Sequence, residues 1–192
     1  MTADADASRP SRAPEAATVA LRVPDPSVIL LVGIAGCGKS TFAERHFTST
    51  EIVSSDRCRA LVADDPTDQA ATGDAFSLLT FILDKRLKRR RLTVVDATNL
   101  TRDQRRRYLG LAAKYDVPAV AVVFDLPFEI CVARDEGRGD RRVGRDVLDS
   151  QRREFERGVE QLRRASEYRV LKILSSPEEV DATAVVREDA GR

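Results

Sequence analysis

Short apolar runs alternate along this chain with longer stretches of helical character. The apolar runs predict strands at residues 28–32, 52–54, 92–95, 119–124 and 168–174. Helices are predicted at residues 41–47, 74–90, 103–115, 127–135 and 146–164. In the stretch 74–90, for example, the apolar positions 76, 79, 82, 83 and 87 follow helical spacing. Because strands and helices alternate, the pattern indicates an α/β fold with a mainly parallel β-sheet flanked by helices.

The two ends of the chain lack this pattern. Residues 1–24 are rich in Ala, Asp, Ser, Arg and Pro, so we expect a disordered N-terminal tail. One domain is expected over residues 25–182, followed by a C-terminal tail over residues 183–192. The 192 residues suffice for one α/β domain with a substantial core but not for two.

Composition limits the function classes. Hydrophobic residues make up 42% of the chain and charged residues 33%, as in soluble globular proteins, and no apolar run approaches the roughly 20 residues of a membrane span. The 3 cysteines lack metal-type spacing and no secretion signal is evident, so a reduced, cytoplasmic location is expected. A net charge of +1 gives no whole-molecule attraction to nucleic acid, so nucleic-acid binding requires a local basic site.

The sequence GIAGCGKS at residues 33–40 follows the first predicted strand and has the pattern G-x-x-x-x-G-K-S. This pattern is typical of the phosphate-binding loop (P-loop) of nucleoside-triphosphate enzymes, whose glycines let successive backbone N–H groups point at phosphate oxygens. The helix that begins here adds the positive end of its dipole. Lys39 is expected to reach the β- and γ-phosphates of ATP, and the Ser40 hydroxyl to hold Mg²⁺. The predicted ATP-binding residues are Gly33, Ile34, Ala35, Gly36, Cys37, Gly38, Lys39, Ser40 and Thr41.

Carboxylates follow two other predicted strands, at the sheet edge where ligands of doubly wound sheets bind. Asp56 either accepts a proton from an acceptor hydroxyl or caps the helix that follows it. Arg59, one helical turn later, either points to the same cleft or lies on a solvated helix face. Asp96 either supports the Mg²⁺ or is a structural carboxylate that binds loop backbone.

Arginines are concentrated between two predicted helices. Arg134, Arg138 and Arg141 flank Gly137 and Gly139, which suits a mobile lid that neutralises charge on a transferred phosphoryl group. The alternative is a solvated loop with internal acidic partners. The basic residues at 85–91, at 102 and at 105–107 are expected to lie on solvated helix faces.

Several segments resemble the kinase domain of bacterial polynucleotide kinase-phosphatase. The likeness extends from about residue 28 to about residue 180. It rests on residues 33–43, on SSDRCR at 54–59, on DD at 64–65, on DQAAT at 68–72, on TVVDATN at 93–99, on FDLP at 124–127 and on the three spaced arginines.

This resemblance implies a P-loop NTPase-like α/β fold with an Arg-rich lid, and transfer of the γ-phosphate of ATP, with Mg²⁺, to the 5′-hydroxyl end of RNA or DNA. By the same resemblance Asp56 is the general base, and Lys39 and Ser40 bind nucleotide and metal. Arg59 and Gln69 are expected at the acceptor site, and the lid arginines are expected to clamp the donor. The repair enzymes of this family carry further modules, so a partner that supplies phosphatase or ligase activity is also expected.

Two other functions fit the same residues. The first is a P-loop kinase for a small-molecule hydroxyl, such as a sugar, a nucleoside or an antibiotic, since the same base and lid would serve it. The second is a low-turnover, ATP-binding regulatory protein, which would bind ATP without phosphorylating an acceptor. The intact set of Lys39, Ser40 and Asp56 argues against a degenerate site of this second kind.

Overall fold

The computed structural model describes residues 19–139 and 142–189. Its centre is a five-stranded sheet in the order β3-β4-β2-β5-β6, with every neighbouring pair parallel. A separate parallel pair joins β1 to β7. The strands are β1 (Val19–Asp25), β2 (Val28–Val32), β3 (Ile52–Ser54), β4 (Thr93–Asp96), β5 (Ala119–Phe124), β6 (Val170–Leu174) and β7 (Thr183–Asp189). The mainly parallel α/β sheet predicted from the sequence is therefore confirmed.

Helices connect these strands. They are α1 (Lys39–His46), α2 (Ser55–Ala63), α3 (Thr72–Lys88), α4 (Arg102–Lys114), α5 (Phe128–Glu136), α6 (Arg145–Arg163) and α7 (Pro177–Ala182). Local sequence explains several of their starts. Thr101 and Gln104 form a reciprocal capping box at α4, and Ser176 caps α7, whose first residue is Pro177.

The chain ends differ from the sequence prediction. Residues 19–24, expected within the disordered tail, belong to β1, and residues 183–189, expected within the C-terminal tail, form β7. Leu21 and Val23 of β1 are buried, and Arg187 of β7 forms an ion pair with Glu51, 2.8 Å away. The rest of the predicted tails, residues 1–18 and 190–192, lies outside the described residues.

Strands β2 and β5, which are neighbours in the sheet, support the segment that follows β2. Every residue of β2 and β5 is buried, as expected when helices cover both faces of a parallel sheet. Phe42 of α1 packs edge-on against Phe124, with 5.5 Å between the ring centroids, which fixes α1 to the sheet directly after the P-loop. Among the described residues, no helix combines the length and the apolar character needed to cross a membrane.

Candidate functional site

The P-loop occupies the turn between β2 and α1, at the carboxyl edge of the sheet. Gly36 and Gly38 have φ values of 79° and 96°, in the left-handed region that glycine adopts without strain. Gly36 also packs directly on α5, because a Cβ at this position would overlap the carbonyl oxygen of Cys131. The glycines thus serve both the turn and the close approach of α5.

Lys39 turns its ammonium back over the P-loop. Its Nζ donates hydrogen bonds to the carbonyl oxygens of Gly33 (2.9 Å) and Ile34 (2.7 Å), and the residue is only 8% exposed. A charged ammonium that is buried must be hydrogen-bonded, and here the loop itself supplies the acceptors. Lys39 therefore concentrates positive charge within the loop.

Ser40 and Asp96 meet across the sheet edge. The Ser40 hydroxyl donates to Asp96 Oδ2 at 2.8 Å, and Asp96 is 7% exposed. Burial raises the pKa of Asp96, and the charge of Asp56 adds to this, while Lys39 and Ser40 oppose it. The alternative role for Asp96, as a carboxylate bound to loop backbone, has no supporting hydrogen bond among the described residues.

This pair has the chemistry of a magnesium site. Mg²⁺ prefers oxygen ligands and is usually held by one or two carboxylates together with substrate phosphates rather than by an all-protein cage. The described residues contain no group of three or more His, Cys, Asp or Glu side chains suited to a metal. A buried carboxylate whose charge is disfavoured, next to a hydroxyl, fits a divalent cation.

Asp56 and Arg59, here called the acceptor pair, lie on the first turns of α2. Arg59 Nη1 donates to Asp56 Oδ1 at 2.8 Å and to the carbonyl oxygen of Pro66 at 2.7 Å. The Asp56 side chain is 71% exposed, whereas that of Arg59 is 9% exposed. The Nε of Arg59 is buried without a hydrogen-bond partner among the described residues. Arg59 is therefore not on a solvated helix face.

The capping role considered for Asp56 is wrong. The N-cap of α2 is Ser54, whose hydroxyl accepts a hydrogen bond from the backbone N–H of Arg57. Asp56 lies in the first turn of α2, and its side chain does not cap the helix. Among the described residues, the side chain of Asp56 is paired with Arg59 alone.

Among the described residues, no hydrogen bond joins Gln69 to the acceptor pair. Its side chain is exposed and donates to the carbonyl oxygen of Thr67 at 3.1 Å. The loop that carries it is tied to Arg59 through Pro66, three residues earlier. The expected acceptor role of Gln69 stays a prediction.

Two of the three predicted lid arginines line a pocket beside the P-loop. Arg134 and Arg138 face Gly36, Gly38 and Thr41 across this P-loop pocket, whose volume is about 400 Å³. The Nη1 of Arg134 lies 3.4 Å from the point where a Cβ of Gly38 would stand. Arg141 lies outside the described residues. The lid movement itself stays a prediction.

Sequence reasoning missed Asp135, which organises the segment that carries these arginines. Asp135 is 1% exposed, and its carboxylate accepts hydrogen bonds from the backbone N–H groups of Val143 (3.2 Å) and Gly144 (3.0 Å). It thereby links the two ends of residues 134–144, here called the arginine segment. A lone Asp between an Arg and a Glu carries no sequence signal for this role.

Gln151 was also missed. Its Oε1 accepts a hydrogen bond of 2.8 Å from the backbone N–H of Ala35 in the P-loop. On the same helix, Arg152 and Arg163 lie 3.5 Å from the carboxylate of Asp125, at the end of β5. Helix α6 therefore contacts the P-loop and a neighbouring strand end together. The residues in each of these contacts are more than 25 positions apart in the sequence, so a local pattern does not predict them.

Comparisons with known proteins identify the family and the fold of this chain. The sequence model of a family described as an AAA domain matches residues 28–158. A curated relative, transcription factor bHLH140 of Arabidopsis thaliana, is 31% identical over 111 residues, which is 58% of this chain and 11% of that protein. The chain thus spans about a tenth of that relative.

Solved structures show the same fold. A chain in the structure of the Pnkp1/Rnl/Hen1 RNA repair complex aligns with a TM-score of 0.60 at 24% identity, over 72% of this chain and 47% of that chain. The Mycobacterium tuberculosis APS kinase CysC, in complex with AMPPNP and APS, aligns with a TM-score of 0.51 at 18% identity, over 83% of this chain and 95% of that chain. The architecture is a P-loop kinase-like fold.

Proposed function

Since this chain belongs to the AAA domain family, we propose that it is an ATP-dependent kinase that transfers the γ-phosphate to the 5′-hydroxyl end of RNA or DNA. The observation that carries this proposal is the acceptor pair. An exposed carboxylate, Asp56, lies 2.8 Å from the guanidinium of Arg59, whose buried Nε has no partner among the described residues. This arrangement suits an acceptor that presents a hydroxyl and a phosphate close together, as the end of a polynucleotide does.

On the donor side, the P-loop and the arginine segment would hold ATP. The backbone N–H groups of the loop and the Lys39 ammonium bind the β- and γ-phosphates, and Arg134 and Arg138 neutralise charge from the opposite wall of the P-loop pocket. The same pocket extends to Pro177 and Val180 of α7, which offer apolar surface to the nucleoside.

Ser40 and Asp96 would hold Mg²⁺ together with the phosphates. The ion supplies positive charge that offsets the charge of the β- and γ-oxygens. The raised pKa of Asp96 is consistent with this role, because a divalent cation would compensate the carboxylate that burial disfavours. Ser40 and Asp96 are thus the two residues that we assign to the metal.

In the transfer step Asp56 accepts the proton of the attacking hydroxyl. The hydroxyl oxygen forms the new bond to the γ-phosphorus, the bond between this phosphorus and the β,γ-bridging oxygen breaks, and ADP leaves. Arg59 orients Asp56 and binds the phosphate of the acceptor strand. A base that is 71% exposed suits a large acceptor that enters from solvent and covers it.

The direct test uses γ-labelled ATP, Mg²⁺ and a short 5′-hydroxyl oligonucleotide, with a 5′-phosphorylated strand of the same sequence as control. Label on the hydroxyl-ended strand alone is expected. Label on a mononucleoside or a sugar but on no oligonucleotide would replace the proposal with a small-molecule kinase. ATP binding without transfer to any acceptor would replace it with the regulatory role.

Asp56→Asn tests the base within the same assay. General base catalysis contributes about 10²- to 10⁴-fold, so transfer should fall by that factor while ATP affinity is retained. Asp116→Asn is the matched control, because Asp116 is exposed, precedes β5 at the opposite edge of the sheet, and loses the same charge. Near-normal transfer by Asp56→Asn would refute the assignment of the base.

A further inference from the structure

A second cavity lies outside the site described above, in a groove between α4 and α6. Its volume is about 470 Å³, and it is lined by α4 on one side and by the end of α6 and residues 164–168 on the other. We call it the basic groove, because four of its lining residues are Arg102, Arg105, Arg106 and Arg164. The lining includes one carboxylate, Glu167.

Three of these arginines are available to a ligand. Arg102, Arg106 and Arg164 are exposed, and among the described residues none of them has an ion-pair or side-chain hydrogen-bond partner. Other arginines of this chain are paired, such as Arg152 with Glu156 at 2.7 Å and Arg187 with Glu51 at 2.8 Å. Unpaired guanidinium groups that converge on one concave surface favour an anion.

The fourth arginine forms the floor of the groove. Arg105 is 3% exposed, and its Nη1 donates to the carbonyl oxygens of Asn99, at 2.8 Å, and Leu100. Burial lowers its pKa, while Tyr168 opposes that shift; a guanidinium stays charged in either case. Gly158 of α6 lies against the same place, since a Cβ there would stand 3.0 Å from the carbonyl oxygen of Leu100. The sequence prediction of a solvated face is therefore wrong for Arg105.

The groove begins close to the transfer site. Arg102 follows Asp96 by six residues, which span at most about 20 Å. The connecting loop is anchored to the sheet, because Asn99 Nδ2 donates to the carbonyl oxygen of Leu31 at 2.7 Å. In a stacked strand successive phosphates rise about 3.4 Å, so the near end of the groove lies within about six nucleotides of Asp96. A nucleoside or a sugar has no internal phosphate that the groove could bind.

We propose that the basic groove binds internal phosphates of the acceptor strand, so that the enzyme selects polynucleotides over mononucleosides. The inference rests on the proposed function, and it assigns the groove to the substrate of that same site. Net charge over the whole chain is only +1, so the required electrostatic attraction must come from a local surface of this kind.

The test variant replaces the three exposed arginines, as Arg102→Gln, Arg106→Gln and Arg164→Gln together. Arg105 is left in place because it supports the loop. The matched control is Lys88→Gln, Arg89→Gln and Arg91→Gln, which removes the same charge next to the start of β4, at the opposite edge of the sheet. Those three residues are also exposed. Thermal unfolding of both variants verifies that each is folded.

Two readouts are compared. Fluorescence anisotropy of a labelled 5′-hydroxyl decanucleotide gives the affinity at several salt concentrations. For a single strand the slope of log K against log[salt] is about −0.7 per neutralised phosphate, so loss of three contacts should make the groove variant's slope about 2 units shallower. The second readout is kcat/KM with the decanucleotide and with a dinucleotide. It should fall at least tenfold for the former and less than twofold for the latter.

Each outcome separates the two proposals. The proposed role of the groove would be refuted if the groove variant kept the wild-type salt slope and the wild-type ratio of kcat/KM for the decanucleotide to kcat/KM for the dinucleotide. This holds even if the wild-type protein phosphorylates both acceptors. The groove is also refuted if the control variant loses as much affinity as the groove variant. Absence of transfer by the wild type would overturn the proposed function, while the anisotropy measurement would still decide whether the groove binds the strand.

Discussion

Substitution of Gly36 by alanine probes how tightly the P-loop and α5 are joined. Gly36 has a φ of 79°, and an added Cβ would overlap the carbonyl oxygen of Cys131 and stand 3.0 Å from its carbonyl carbon. Cys131 belongs to α5, the helix that also carries Arg134. The neighbour is backbone rather than a flexible side chain, so it can yield only if the loop or the whole helix moves.

The expected cost has two parts. A non-glycine residue in the left-handed region costs about 1–2 kcal/mol, and an extra methyl group in a packed place costs about 1–3 kcal/mol. Gly36→Ala should therefore reduce the free energy of unfolding by about 2–5 kcal/mol. Domains have about 5–15 kcal/mol in total, so the variant should fold but be much less stable.

Urea unfolding measures this loss. With a slope of about 2 kcal/mol/M, the midpoint should fall by about 1–2.5 M. The matched control is Gly110→Ala, in the interior of α4, where a Cβ meets no atom within 4 Å. It should raise stability by about 0.5–1 kcal/mol, because glycine weakens helix interiors. Equal midpoints for Gly36→Ala and the wild type would refute the reasoning.

Three further results are expected. Lys39→Ala should weaken ATP binding by about ten- to a hundredfold, because hydrogen bonds to a charged group contribute about 1.5–3 kcal/mol. Unchanged ATP affinity in titration calorimetry would contradict this. Asp135→Ala leaves the N–H groups of Val143 and Gly144 without their acceptor, so it should lower the free energy of unfolding by about 2 kcal/mol. It should also speed proteolysis within the arginine segment. Proteolysis of the variant at the wild-type rate would contradict this role of Asp135. Burial raises the pKa of Asp96, so the folded state holds the proton more tightly than the unfolded state, and ionisation costs stability as pH rises above about 4. In the absence of Mg²⁺, Asp96→Asn should therefore gain stability relative to the wild type as pH rises from about 4, and a constant difference in urea unfolding would disprove this.

The parts of the fold with a local signal could be predicted. The strand at residues 119–124 was predicted with the bounds that β5 has, because a continuous apolar run needs no information from elsewhere in the chain. Strands β1 and β7 were missed because they pair with each other across the whole length of the sequence. The pairing partner of each strand is therefore out of reach of a local pattern.

The candidate site likewise contains residues that a local sequence pattern predicts and residues that it does not. The P-loop could be predicted since its glycines, Lys39 and Ser40 are consecutive. The burial of Arg105 could not, because it depends on Gly158, a residue 53 positions away. Asp135 is close in sequence to Val143 and Gly144, yet its role depends on the path of a loop that the sequence describes only as irregular.

Helix α6 has a consequence for how relatives of this chain can diverge. Gln151 touches the P-loop and Gly158 touches the loop that follows Asp96; seven residues make about two helical turns, or about 10 Å, so both contacts lie on one face. One residue inserted between them would rotate one contact by about 100° away from its partner. The interval from Gln151 to Gly158 must therefore keep its length in any relative that retains both contacts.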